Sequence, residues 1–139
     1  MKLTFAPGLL DSMRQQAVAA FPEECCGLLA GRRDGSLFRV TQVSPSRNVT
    51  SGDPRVDFEV DPTMRIKLER ALRGGDERLI GHYHSHPDGR AEPSERDLAQ
   101  AYEPELVWLI IAVSGEGVGD IAAYSLSPED GKFERLSLC

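Results

Sequence analysis

A chain of 139 residues, 40% apolar and 27% charged, has the size and make-up of one soluble globular domain, residues 1–139, with enough chain to bury a core. Its formal net charge is −6, with the signs mixed and no Lys/Arg-rich stripe, which argues against non-specific nucleic-acid binding. The longest apolar run, Leu106 to Val113, is strand-sized, and MKLTFAPGLLDSMRQQ has no long apolar stretch, so neither a membrane span nor a signal peptide is expected and the expected compartment is the cytoplasm.

In chain order, Leu10, Met13, Ala17 and Phe21 recur at helical spacing and predict a helix from Pro7 to about Ala20, closed by Pro22. The run CCGLLA, Cys25 to Ala30, reads as a buried strand. Leu37 to Val43 follows as a second strand after a turn at Asp34-Gly35. The three cysteines, Cys25, Cys26 and Cys139, form no Cys-x-x-Cys pair. They read as reduced thiols, with Cys26 in the core. Ser44 to Pro54 reads as a loop. Arg55 to Val60 alternates, with Val56, Phe58 and Val60 on one side, and predicts a half-buried strand.

Pro62 opens a second helix with Met64, Leu68, Ala71 and Leu72 on one face, ended by Gly74-Gly75. Arg78 to Ser85 predicts a strand leading into histidines, and Ser94 to about Ala101 a short third helix. LVWLIIAV, Leu106 to Val113, predicts a central strand covered on both faces. Ile121 to Leu126 and Phe133 to Leu138 complete the strands. Interleaved strands and helices give an α/β fold, a mixed β-sheet with helices packed on it as an α/β sandwich.

The segment GHYHSHPDGRAEPSERD, Gly81 to Asp97, carries all three histidines. Alternation along a strand sends His84 and His86 to the same side, where two imidazoles can share one ion. Zinc takes four tetrahedral ligands, and a catalytic zinc keeps one position for water. A third ligand therefore has to return through a short connection. The tight turn at Pro87 to Pro93 delivers Ser94 and Asp97 at spacing i, i+3 on one helix face. Taken alone, Ser94 and Asp97 also read as a capping box. His82 shares the strand face, so His82–His84 is a competing pair on spacing. The distance along the chain to Ser94 and Asp97 favours His84–His86. His82 then reads as a supporting or satisfied core histidine.

Together these residues resemble the JAMM (MPN+) metalloprotease family. Its motif is His-x-His, seven residues, Ser, two residues, Asp, and it stands here in full: His84-Ser85-His86, PDGRAEP, Ser94, Glu95-Arg96, Asp97. Ser85 and Pro87 match the family's preferences around the second histidine. A second element, Glu-x-Cys-Gly before an apolar strand, is present in FPEECCGLLAG and selects Glu24 over Glu23. Glu23 itself reads as a solvated surface acid. The family often has an aromatic residue where this chain has His82.

The resemblance implies the JAMM/MPN fold, related to that of cytidine deaminases. It also implies one Zn2+ held by His84, His86 and Asp97 with a catalytic water, Glu24 as general base and Ser94 as hydrogen-bond donor to the oxyanion. The implied substrate is a small ubiquitin-like or sulfur-carrier protein, cut after its C-terminal Gly-Gly, either to trim the tail or to release an attached amino acid. Only nine residues separate Asp97 from Val107 and no further Cys/His cluster exists, which sets the chain apart from large deubiquitinases with insertions. Nucleoside deamination would need a Pro-Cys-x-x-Cys pair, which is absent. A zinc peptidase acting on small peptides and a non-catalytic scaffold are the remaining alternatives.

Overall fold

The computed structural model describes residues 1–138, so the thiol expected at Cys139 lies outside the described residues. The elements run β1 (Lys2–Phe5), α1 (Leu9–Ala20), β2 (Cys26–Asp34), β3 (Leu37–Ser46), α2 (Pro62–Leu72), β4 (Arg78–His86), α3 (Glu95–Ala99), β5 (Val107–Ser114), β6 (Gly117–Leu126) and β7 (Phe133–Leu138). The strand order is β1-β3-β2-β4-β5-β6-β7, and β1 pairs with both β3 and β7, which closes the sheet. The β4–β5 pair is parallel and β2–β4 is antiparallel. The expected mixed α/β sheet is present, with a closure that depends on β1.

The apolar run of β5 is explained by its neighbours. Val107, Leu109, Ile111 and Val113 join one buried cluster with Met13 and Ala17 of α1, while Trp108 and Ile110 join a second with Phe58 and Tyr124. Each face of the strand is therefore covered, and alternation is not needed to signal burial. Helix α1 packs against β3, β5 and β6, and α2 packs against β4. Among the described residues no helix is long and apolar enough to cross a membrane.

Three expectations are corrected, and the structure adds the strand β1, which no pattern in the sequence predicts. Phe21 lies beyond α1 and is exposed. Strand β3 runs on through Pro45 to Ser46, into the expected loop, paired with β2 down to Cys26. Arg55 to Val60 forms no strand: it opens in a turn and makes a single bridge, Val60 to Asn48. Its alternation fails at Val56, which is 54% exposed. The Asn48 side chain instead takes the backbone N–H of Glu59 at 3.0 Å, a local side-chain bond that competes with a ladder.

Candidate metal centre

The site forms where β2 begins, β4 ends and α3 begins. The β2–β4 register sets Cys26 opposite His84. One step further, Ser85 N–H donates to Cys25 O at 3.0 Å and Cys25 N–H donates to Ser85 Oγ at 2.8 Å. The next step brings Glu24 toward His86. The Cys-Gly that follows Glu24 has a steric reason: a Cβ on Gly27 would lie 2.4 Å from the Tyr83 ring, which the Tyr83 hydroxyl fixes through a hydrogen bond to Gln16.

His84 Nε2 and His86 Nε2 face each other at 2.9 Å, and Asp97 Oδ2 lies 3.3 Å from the first and 3.0 Å from the second. All three side chains are buried, as is Glu24. A tetrahedral zinc with bonds near 2.0–2.1 Å sets its ligand atoms about 3.3 Å apart, so this triangle fits one ion with little adjustment. His86 Nδ1 lies 3.0 Å from Arg90 O and donates to it, so a neutral ring turns its Nε2 lone pair to the cluster, while a protonated ring donates from Nε2 to Asp97. Glu24, His84 and His86 also offer ligand atoms within 4.8 Å of one another. Asp97 makes the tighter set with the two imidazoles. Glu24 Oε1 is buried with no hydrogen-bond partner, consistent with a group that awaits a water or a substrate.

Electrostatics separate the two acids. Burial pushes the Glu24 carboxyl up to about 8, against the opposing pull of His86. Burial also disfavours the Asp97 anion, but hydrogen bonds from His84 and His86 outweigh it and hold the carboxyl well below the usual range. Burial lowers the pKa of His84. In His86 burial is the largest single influence, but the bond to Asp97, the charges of Asp97 and Glu24 and the bond to Arg90 O together outweigh it, and its pKa rises.

Ser94 caps α3. Its Oγ accepts from Asp97 N–H at 3.0 Å, and its own N–H donates to Asp97 Oδ2 at 2.9 Å. The capping box and the metal reading thus share the same oxygens, and the Ser94 hydroxyl proton stays free to point into the cleft. That cleft, about 430 Å3, is lined by Glu24, His86 and Ser94 with Arg55, Val56 and Arg96. Glu23 is exposed, as expected. His82 stands outside the convergent group. It packs edge-on against Trp108 at 4.3 Å, and its buried Nδ1 has no partner, so it is held by packing and the expectation of a satisfied ring fails at that atom. Phe58, which no motif in the sequence marks as part of the site, stacks on His84 at 4.2 Å and 16°.

The family model described as prokaryotic homologs of the JAB domain matches residues 6–127. The chain is 36% identical over 107 residues to the desampylase of Haloferax volcanii, covering 77% of this chain and 75% of that protein. It is 38% identical over 94 residues to a probable TtuB-protein conjugate cleaving protease of Thermus thermophilus, covering 68% of this chain and 60% of that one. A solution structure of a Desulfitobacterium hafniense protein superposes with a TM-score of 0.84 at 28% identity, over 99% of this chain and 91% of the other.

Proposed function

We propose that this chain, which belongs to the family of prokaryotic homologs of the JAB domain, is a zinc-dependent peptidase that cuts after the C-terminal Gly-Gly of a small ubiquitin-like or sulfur-carrier protein. The names of the desampylase and of the TtuB-conjugate protease support the substrate class. The observation that carries the chemistry is the buried triangle of His84 Nε2, His86 Nε2 and Asp97 Oδ2 beside the unpartnered carboxyl of Glu24.

His84, His86 and Asp97 would hold the ion. When bound, zinc supplies a Lewis acid for the scissile carbonyl and makes a water acidic enough to attack near neutral pH. Glu24 takes that water's proton and returns it to the leaving amine. The Ser94 hydroxyl donates to the oxygen that becomes negative in the transition state. The His86 Nδ1–H bond to Arg90 O fixes the tautomer.

The test pairs elemental analysis with cleavage of a carrier–Gly-Gly fusion. Wild type should hold about one zinc per chain, and His84→Ala/His86→Ala none. Glu24→Gln should keep zinc and lose ~10²–10⁴-fold in kcat. Turnover of an isolated Gly-Gly peptide as fast as the carrier fusion would reassign the chain to small peptides. Metal-free protein that cannot be reloaded would leave a scaffold.

A further inference from the structure

Glu24 is not part of the sheet ladder, because β2 begins at Cys26. What holds a base outside the ladder decides how well it is placed. Glu24 N–H donates to Pro54 O at 2.7 Å. Glu24 O accepts from Asn48 Nδ2 at 3.1 Å. Both main-chain bonds of this residue therefore come from one irregular segment, 48–54.

Asn48 makes four bonds at once. Its Nδ2 donates to Glu24 O at 3.1 Å and to Asp57 O at 2.9 Å. Its Oδ1 accepts from Thr50 N–H at 3.2 Å and Glu59 N–H at 3.0 Å. The network fixes the amide's orientation, since a flip would set an oxygen against two carbonyl oxygens and an amine against two N–H groups. One half of the side chain shapes the loop that bears Arg55 and Val56 of the cleft wall. The other half reaches the backbone of Glu24.

We infer that Asn48 is a positioning residue, which ties the backbone of Glu24 to the cleft-lining segment 49–59 and so sets where the Glu24 carboxyl meets the reacting water. The inference rests on the reading of Glu24 as the base. A displacement of about 1 Å at a reacting group can lower a rate ~10²-fold, so a single amide is enough to matter. The metal ligands lie on β4 and α3, and none of the four Asn48 bonds runs to either element.

Asn48→Asp keeps the acceptor for Thr50 and Glu59 and replaces the donor toward Glu24 O and Asp57 O with an oxygen. With the carrier–Gly-Gly fusion as substrate, kcat should fall ~10–100-fold with KM within about threefold and zinc unchanged at about one per chain. Amide hydrogen exchange at Glu24 should speed up by about tenfold or more, while Cys26, inside the ladder, should not change. Asn48→Ala, which buries no new charge, repeats the measurement if Asn48→Asp does not fold. Unchanged kcat, a loss confined to KM, or a loss that tracks loss of zinc would each overturn the proposal. So would unchanged exchange at Glu24, whatever the activity. A wild type that binds zinc but cleaves nothing would instead remove the base reading, and the catalytic role of Asn48 with it. Exchange would still report whether the Glu24 N–H keeps its bond to Pro54 O when Asn48 changes.

Discussion

Single atoms set the tolerances around this site. Gly27 follows Cys26 in β2, and its missing Cβ leaves room for the Tyr83 ring, which would otherwise be 2.4 Å away. Tyr83 is fully buried and cannot swing out without emptying the core beside Met13 and Leu109. Gly27→Ala should therefore destabilise the fold by about 1–3 kcal/mol, the usual range for overpacking, and should displace the start of β2 that leads back to Glu24. Urea unfolding should show a lower midpoint with an unchanged slope. A neutral Gly27→Ala would mean that the ring has somewhere else to go. Ser85→Ala acts differently: it leaves the Cys25 N–H, now bonded to Ser85 Oγ at 2.8 Å, without an acceptor in a buried setting. That should cost about 1–3 kcal/mol, with zinc still bound because His84 and His86 keep their strand.

At the scale of elements, α2 is tied to the connection before β5 by a two-pronged ion pair. Arg65 donates from both terminal nitrogens to Glu103, at 2.6 and 2.7 Å. The bonds from Arg65 hold the Glu103 carboxyl below its ordinary value. A depressed acid contributes stability above its unfolded pKa and loses it as pH falls through the folded one. Both side chains are over a third exposed or nearly so, at 35% and 40%, so solvent screening limits the pair to under about 1 kcal/mol. Arg65→Ala should be less stable than wild type at pH 7 by that amount, and the gap should close as the medium is taken below the free carboxyl value of 4.5. A gap that persists in acid would assign the loss to packing of the Arg65 stem.

Which elements were legible follows from the same physics. Helices α1 and α2 follow from the helical spacing of their apolar residues, and strands β2 and β5 from apolar runs that the fold buries residue after residue. Strand β1 is four residues long with one fully buried side chain, Leu3, too little pattern to register, yet it closes the sheet. Arg55 to Val60 has the pattern without the partner strand, since the bonds that a ladder would use go to the Asn48 side chain. Strand alternation, a tight turn and a helix start single out His84, His86 and Asp97 as candidates in the sequence, while Glu24 enters only through the resemblance to the JAMM family, since no local pattern ties it to the histidines. Phe58 and Asn48 act across space with no local signature, and only the folded chain brings them to the site.

For the whole molecule, the site is a buried polar cluster that knits three elements at their ends. Glu24, His84, His86 and Asp97 are all within the protein interior, where polar groups without full pairing oppose folding. An ion bound by the folded chain alone stabilises it by mass action, about 4 kcal/mol at a free concentration near 1,000 times Kd. Zinc should thus raise the melting temperature of the wild-type chain by an amount that grows with the logarithm of free zinc, and a chelator should return it to the metal-free value. His84→Ala/His86→Ala should melt at one temperature whatever the zinc concentration. Glu24→Gln should respond to zinc as wild type does, because His84, His86 and Asp97 remain. The ranking of these three curves separates ligand from base without any substrate. If Glu24→Gln lost the zinc response while an Asp97→Asn variant kept it, the third ligand would be Glu24, the other acid within reach of both imidazoles, and Asp97 would be left as the capping partner of Ser94.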